Sequence, residues 1–353
     1  MAQADLETIA GLLDGHVDVR RRPDSVQPLR YPAAEAGFYD PFTLWVASTP
    51  AGVRLRLQTP SRSLRLSVNQ RLLAGEPGAE RRGAYDLFVD GRPAGRAWAE
   101  GGQVLQPDFT GVGDERAVVT FESLPAGDKG LELWLPQAAT VSIRGLEVDE
   151  GSAVEPSPDR RKTVLFHGSS ISHCMEATGA AAGWGAVATG LADLRHVNLG
   201  WAGSCLLSGL AARIIRDQDA DAIVLKLGIN VWSEGMLKER TFLDGAHAML
   251  SIIREKHAAT PICVISPIFS PGREDEGSDG GLPLARMREL LQAVVKARMA
   301  AGDGAIRYLS GLDLFGPADA ADLPDDLHPN TAGYRRMGER FHALMLSGEG
   351  ALV

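Results

Sequence analysis

Four short stretches of this chain carry side chains suited to acyl-transfer chemistry. The first, Phe166-His167-Gly168-Ser169-Ser170-Ile171-Ser172-His173-Cys174, sets two adjacent serines in a turn after a glycine. The second, Asn198-Leu199-Gly200-Trp201-Ala202-Gly203, and the third, Gly228-Ile229-Asn230, place backbone and amide N–H groups beside glycines. The fourth is Asp325-Asp326-Leu327-His328-Pro329-Asn330. A serine hydroxyl is a poor nucleophile until a base removes its proton. Histidine does this near neutral pH, and a carboxylate fixes the tautomer of the ring. Asp325 and His328 stand three apart in one loop, so a single turn can present both. The attacked carbonyl gains negative charge and needs hydrogen-bond donors already in place. A serine N–H at a helix start, a glycine N–H with no side chain in the way, and the Asn230 amide are candidates. Ser169 competes with Ser170, and Gly200 with Gly203. Spacing favours Asp325 over Asp326. Asn230 could instead cap a helix.

These loops need a scaffold that turns them toward one another. Apolar runs at 163–166, 196–199, 222–227, 262–265 and 306–309 alternate with helical patterns. Phe242, Ala246, Met249, Leu250 and Ile253 share one helical face, and a last helix is predicted from near Asn330 past Phe341. Strand and helix in alternation imply a parallel sheet covered on both sides. In such sheets, ligands bind at the carboxyl ends of the strands. Four of the five runs are followed by one of the stretches above, the last of these coming just before the final helix.

With these residues in register, the region from about 162 to 345 resembles the SGNH (GDSL-type) hydrolases. Ser170 matches the first-block serine of that family, Gly203 the second-block glycine, Asn230 the third-block asparagine and His328 the fifth-block histidine. Asp325 matches the aspartate three before that histidine. The resemblance implies a three-layer α/β/α, flavodoxin-like domain with a parallel five-stranded sheet, and ester hydrolysis without metal or cofactor. It assigns Ser170, His328 and Asp325 to a catalytic triad, and Ser170, Gly203 and Asn230 to an oxyanion hole. Two positions depart from the common pattern: Ser169 stands where the family often has Asp, and so does Val231. Both set the chain apart from lipase-like members.

Ahead of this region the rhythm differs. Val53, Leu55 and Leu57 alternate with polar residues, as do Leu64, Leu66 and Val68. Leu87-Phe88-Val89-Asp90-Gly91 runs into an Asp-Gly hairpin turn. Period two and close spacing from about residue 40 indicate a β-sandwich, jelly-roll-like, in a domain over residues 1–155 that includes a short N-terminal extension. The polar stretch 150–159, with two prolines, is expected to be a linker to a catalytic domain over 156–353. Gly83-Ala84-Tyr85-Asp86-Leu87-Phe88 is similar to the GxDLY-type signature of a front domain found in some members. Those members resemble carbohydrate and acetyl esterases, which implies a short acyl group on a small-molecule or carbohydrate ester.

Charge and composition narrow the partners. Lys plus Arg number 36 against 45 Asp plus Glu, a net charge of −9, which disfavours nucleic acid. No run of about 18 apolar residues is present to span a membrane. The start shows no signal-peptide pattern and the three cysteines are scattered, so a cytoplasmic setting with reduced thiols is expected. An exposed sandwich edge could pair with a second copy. His167 and His173 flank the serines without the paired spacing of a metal motif. His167, Trp201 and Trp232 are candidates for a substrate pocket, with core packing as the alternative. Lys226 falls inside a strand expected to be buried, where it needs a partner or a lowered pKa. The glycine-rich loop 271–281 is either mobile surface or a lid.

Overall fold

A computed structural model of the protein describes residues 1–75, 82–106 and 108–353. The chain divides into two compact units, Met1–Arg160 with Met175–Ala181, and Arg161–Cys174 with Ala182–Val353. Among the described residues the strands form sheets of nine, six and five.

The five-stranded sheet belongs to the second unit and is parallel throughout. Its strands are Thr163–Gly168, Arg195–Asn198, Ala222–Lys226, Ile262–Ile265 and Ile306–Leu309, with the second outermost beside the first. The chain therefore steps one way from the first strand, then reverses to build the other side. That 2-1-3-4-5 order is the flavodoxin-like winding. Right-handed crossovers put helices from opposite steps on opposite faces. Helix Trp184–Leu191 thus lies on one face, and helices Gly209–Arg216, Glu239–Arg254 and Leu284–Ala300 on the other. The last helix, Thr331–Phe341, packs with Trp184–Leu191. Phe166 anchors this layer, its ring 5.1 Å from Trp184 and 5.9 Å from Phe341. The expected α/β/α architecture is present, and the winding reverses between the strands that precede Ser170 and Asn230.

In the first unit, Leu64–Leu73 pairs antiparallel with Arg116–Phe121 and Ala139–Val148 in the nine-stranded sheet. Arg54–Thr59, Lys129–Trp134 and Tyr85–Val89 form the centre of the six-stranded sheet. Alternate residues of both sheets, among them Leu55, Leu57, Leu131 and Leu133 from one and Leu64, Leu66, Val68 and Ile143 from the other, share one buried core. Two largely antiparallel sheets over a common core make a sandwich. The Asp90-Gly91 turn has both residues at positive φ, 48° and 75°, as a tight two-residue hairpin requires.

Two expectations for this unit need correction. Residues 1–40 are not a simple extension: Ala2–Ala4, Asp18–Arg22 and Ser25–Leu29 are strands of the nine-stranded sheet, and helix Leu6–Leu12 contributes Ile9 and Leu12 to the core. The arginine run Arg20-Arg21-Arg22 and Pro28 hide the alternation, and both suit a sheet margin, where charge and a missing donor are tolerated. The stretch 150–159 is not a free linker. Glu155–Pro156 pairs with Arg54–Thr59, and the nearly inaccessible Asp159 carboxylate accepts from Arg54 at 3.3 Å.

Candidate functional site

The strand Thr163–Gly168 is wholly buried and ends in a glycine. A Cβ on Gly168 would stand 2.7 Å from the Lys226 carbonyl oxygen, so the turn needs glycine there. Ser169 then caps the short helix Ser170–His173, its hydroxyl accepting from the Ile171 N–H at 3.3 Å. That use of Ser169 separates the two serines: the fully buried one organises the turn, and Ser170 occupies the first helical position. The Ser170 Oγ lies 2.7 Å from His328 Nε2. Two buried contacts steady the helix. Trp184 donates its indole N–H to the Ile171 carbonyl at 3.0 Å, and Asn198 donates its amide to the Ser172 carbonyl at 2.9 Å.

His328 reaches the serine from the loop before the last helix. Its Nδ1 lies 2.6 Å from Asp325 Oδ2, while Asp325 Oδ1 accepts the His328 N–H at 2.7 Å and the Leu327 N–H at 3.1 Å. One carboxylate therefore holds both the ring and the backbone that carries it. Partial burial would raise the Asp325 pKa, but the His328 ring and the two N–H donors outweigh it and hold the carboxyl well below the usual range. Asp325 is thus held in its ionised form beside the His328 ring. Asp326 is differently engaged. At a φ of 59°, it turns its carbonyl to Ser270 Oγ at 2.6 Å and Arg273 at 3.0 Å. Asn330 caps the following helix through the Gly333 N–H at 2.8 Å.

Three donors stand on the same unit. The Ser170 N–H is the first of its helix and has no intrahelical acceptor. Gly203 is exposed at a φ of 70°, and its N–H donates to no acceptor among the described residues. Gly200, its competitor, is spent: its N–H donates to Asn198 Oδ1 at 2.8 Å. Asn230 is not a cap, because Gly228 holds that position at a φ of 115°. The Asn230 Oδ1 accepts from the Cys205 N–H at 3.1 Å, which leaves its amide N–H groups as donors.

Other candidates are placed elsewhere. His167 is 1% exposed, with Nδ1 2.7 Å from the Leu199 carbonyl and Nε2 3.6 Å from Cys205 Sγ. Trp201 is buried against it, ring centroids 6.0 Å apart. Both are interior residues: His167 lies within the buried strand Thr163–Gly168, and Trp201 in the buried turn after Arg195–Asn198. Trp232 is half-buried. Its indole N–H donates to the Glu276 carbonyl at 2.9 Å, and the Arg273 guanidinium lies 5.1 Å over its ring. The 271–281 loop is therefore fastened to Trp232 and, through Arg273, to the loop of His328. Glu274 completes the brace by accepting from the Ser270 N–H and from Arg288. Sequence reading named Asn198 within its stretch without giving it a role, and missed Ser270 and Arg273. Each lies in or beside a segment that follows a parallel strand, and that position was the available signal. Burial raises the Cys174 and Cys205 thiols to about 12, so neither is a nucleophile at neutral pH. Among the described residues no group of three or more His, Cys, Asp or Glu is placed to hold a metal ion. No helix among them is long and apolar enough to cross a membrane.

Ser170, Gly203, Asn230 and His328 all lie within a stretch that a family model matches. Residues 166–336 fit the GDSL-like Lipase/Acylhydrolase family. The chain carries a GDSL-like acylhydrolase domain. Over 130 residues the chain is 28% identical to a multidomain esterase of Ruminococcus flavefaciens, a match spanning 35% of this chain and 15% of that protein. The structure of a salicylyl-acyltransferase, SsfX3, from a tetracycline biosynthetic pathway is similar with a TM-score of 0.81 at 28% identity, over 93% of this chain and 92% of that one. A family two carbohydrate esterase from Clostridium thermocellum shares the fold, with a TM-score of 0.62 at 16% identity over 84% and 91% of the two chains. The acyltransferase alignment spans both units, so its likeness extends beyond the GDSL-like domain.

Proposed function

We propose that the protein is a serine hydrolase acting on short-chain, acetyl-like carboxylic esters of a small molecule or carbohydrate. The observation that carries this reading is the unbroken relay from Ser170 Oγ through His328, 2.7 Å on one side and 2.6 Å to Asp325 on the other. His328 Nε2 takes the Ser170 proton as Oγ attacks the ester carbonyl. The Asp325 carboxylate holds the proton on Nδ1 and stabilises the imidazolium. The oxyanion lies toward the N–H groups of Ser170 and Gly203 and the Asn230 amide. His328 then returns its proton to the departing alkoxide, leaving an acyl ester on Ser170. A water, deprotonated by the same ring, attacks that ester and releases the acid.

Similarity to an acyltransferase structure along nearly the whole chain, at 28% identity, favours a second reading, in which an alcohol replaces water in the last step. A thioester donor would enter through the same acyl-enzyme. Both readings share the first half-reaction. With p-nitrophenyl acetate, the expected result is a burst of one p-nitrophenolate per chain followed by a slower steady rate. A Ser170→Ala chain that keeps its thermal melt should show neither, and full turnover by that variant would refute the assignment. An added primary alcohol that speeds p-nitrophenolate release and yields its acetate ester marks transfer. Release unaffected by the alcohol marks hydrolysis.

A further inference from the structure

A polar cavity of about 360 Å³ lies in the sandwich unit, on the outer face of the nine-stranded sheet, with helix Pro41–Ala47 forming one wall. Sites for small molecules usually have volumes of roughly 300–1,000 Å³. The outer face of an antiparallel sheet is polar simply to meet water, so polarity alone means little. Two features go further. The first is charge. Arg20 donates to Gln27 Oε1 at 3.3 Å and to the Tyr31 hydroxyl at 2.8 Å, and Arg22 donates to Ser142 Oγ at 3.2 Å. Among the described residues no carboxylate pairs with either. Arg71, also on the cavity, has Glu115 at 3.5 Å. Three cations and one anion thus line a cavity in a chain whose net charge is −9. Neutral partners aim a guanidinium without neutralising it. The second feature is Trp45, whose side chain lines the same cavity beside these charges.

We propose that this cavity binds a hydroxylated monocarboxylate of the sugar-acid class. The Arg20 and Arg22 forks take the carboxylate, for which their planar geometry is suited. The amide N–H groups of Gln27 take hydroxyl oxygens. A dianion such as phosphate fits less well. Glu115 faces the same space, and the first turn of helix Pro41–Ala47 is already capped by Asp40, which accepts from the Phe42 and Thr43 N–H groups at 3.0 Å.

Calorimetric titration of the full chain at low salt tests this with four probes: D-glucuronate, D-glucose, acetate and inorganic phosphate. Glucuronate should bind one per chain and weaken as sodium chloride is added. Arg22→Gln and Arg20→Gln should each lower its affinity about tenfold or more, as loss of a charge-assisted contact does. Arg22 is exposed, so that variant is expected to keep its fold, which a thermal melt checks. Glucose and acetate should bind at least about tenfold more weakly than glucuronate, because each lacks half of the recognised chemistry. Absence of glucuronate binding, an affinity untouched by both arginine substitutions, or tighter binding of acetate or phosphate would overturn the proposal.

Discussion

Lys226 offers the sharpest energetic test of the fold beneath the site. It closes the central strand Ala222–Lys226, is 1% exposed, and its ammonium has no hydrogen-bond partner among the described residues. Burial pushes its pKa down from the ordinary 10.5 to about 8, and the charge of Arg288 lowers it further while Cys205 and Cys174 oppose the shift. At ~1.4 kcal/mol per pH unit, that difference corresponds to about 3 kcal/mol. Below pH 8 both the folded and unfolded chains carry the charge, so the cost of burying it is present in full. Between pH 8 and 10.5 the folded chain has released the proton and the unfolded chain has not, so stability rises with pH across that window. Lys226→Met keeps a linear side chain and removes the charge. At pH 7 the variant should therefore melt higher, by roughly 6–12 °C for a unit of this size. By pH 10 most of that advantage should be gone. Groups shared by both chains cancel in the difference, so melts of the pair at pH 7 and pH 10 isolate Lys226. A variant that melts below the parent at pH 7, or an advantage that is equal at both pH values, would refute the reasoning.

Three further substitutions probe the relay. Asp325→Asn removes the acceptor that holds the proton on His328 Nδ1, and kcat with p-nitrophenyl acetate should fall on the order of 10⁴-fold; a loss under tenfold would free the carboxylate from its role. Asn230→Ala deletes a side-chain donor, and kcat should drop by about 10²–10³ with KM little changed; an equal rise in KM would point to substrate binding instead. Arg273→Ala cuts the tie from the 271–281 loop to the Asp326 carbonyl, so His328 loses its register, and kcat should fall roughly 10–100-fold with the melt unaltered. If Arg273→Ala leaves kcat intact, the brace has no part in positioning the ring.

The back unit was open to reading because its signals are local. Buried parallel strands are unbroken apolar runs, and the loops with glycine and asparagine follow them directly, while the histidine loop comes just before the last helix. Ser169 and Ser170 could be separated only by a partner distant in sequence, His328, and Gly200 and Gly203 only by which N–H the folded turn occupies. The Asn198 amide that occupies the Gly200 N–H is an example. The front unit was readable where leucine alternates with arginine, as at Leu64 to Val68. It was hidden at Asp18–Arg22, where charge on a marginal strand masks the period. Lys226 resists any reading from pattern, since nothing local indicates what a buried ammonium will face. Arg273 and Ser270 were concealed for the opposite reason: they sit in a polar loop whose composition resembles idle surface, and only the fold brings that loop to Asp326.

The most direct measurement is covalent. Incubation of the native chain with a fluorophosphonate, followed by peptide mass spectrometry, should place one phosphonyl group on Ser170. His328→Ala should slow that labelling by orders of magnitude, because the hydroxyl then lacks the base 2.7 Å away. Labelling at Ser169 or elsewhere, or labelling of Ser170 that proceeds at the same rate without His328, would contradict the assignment of Ser170 as an activated nucleophile.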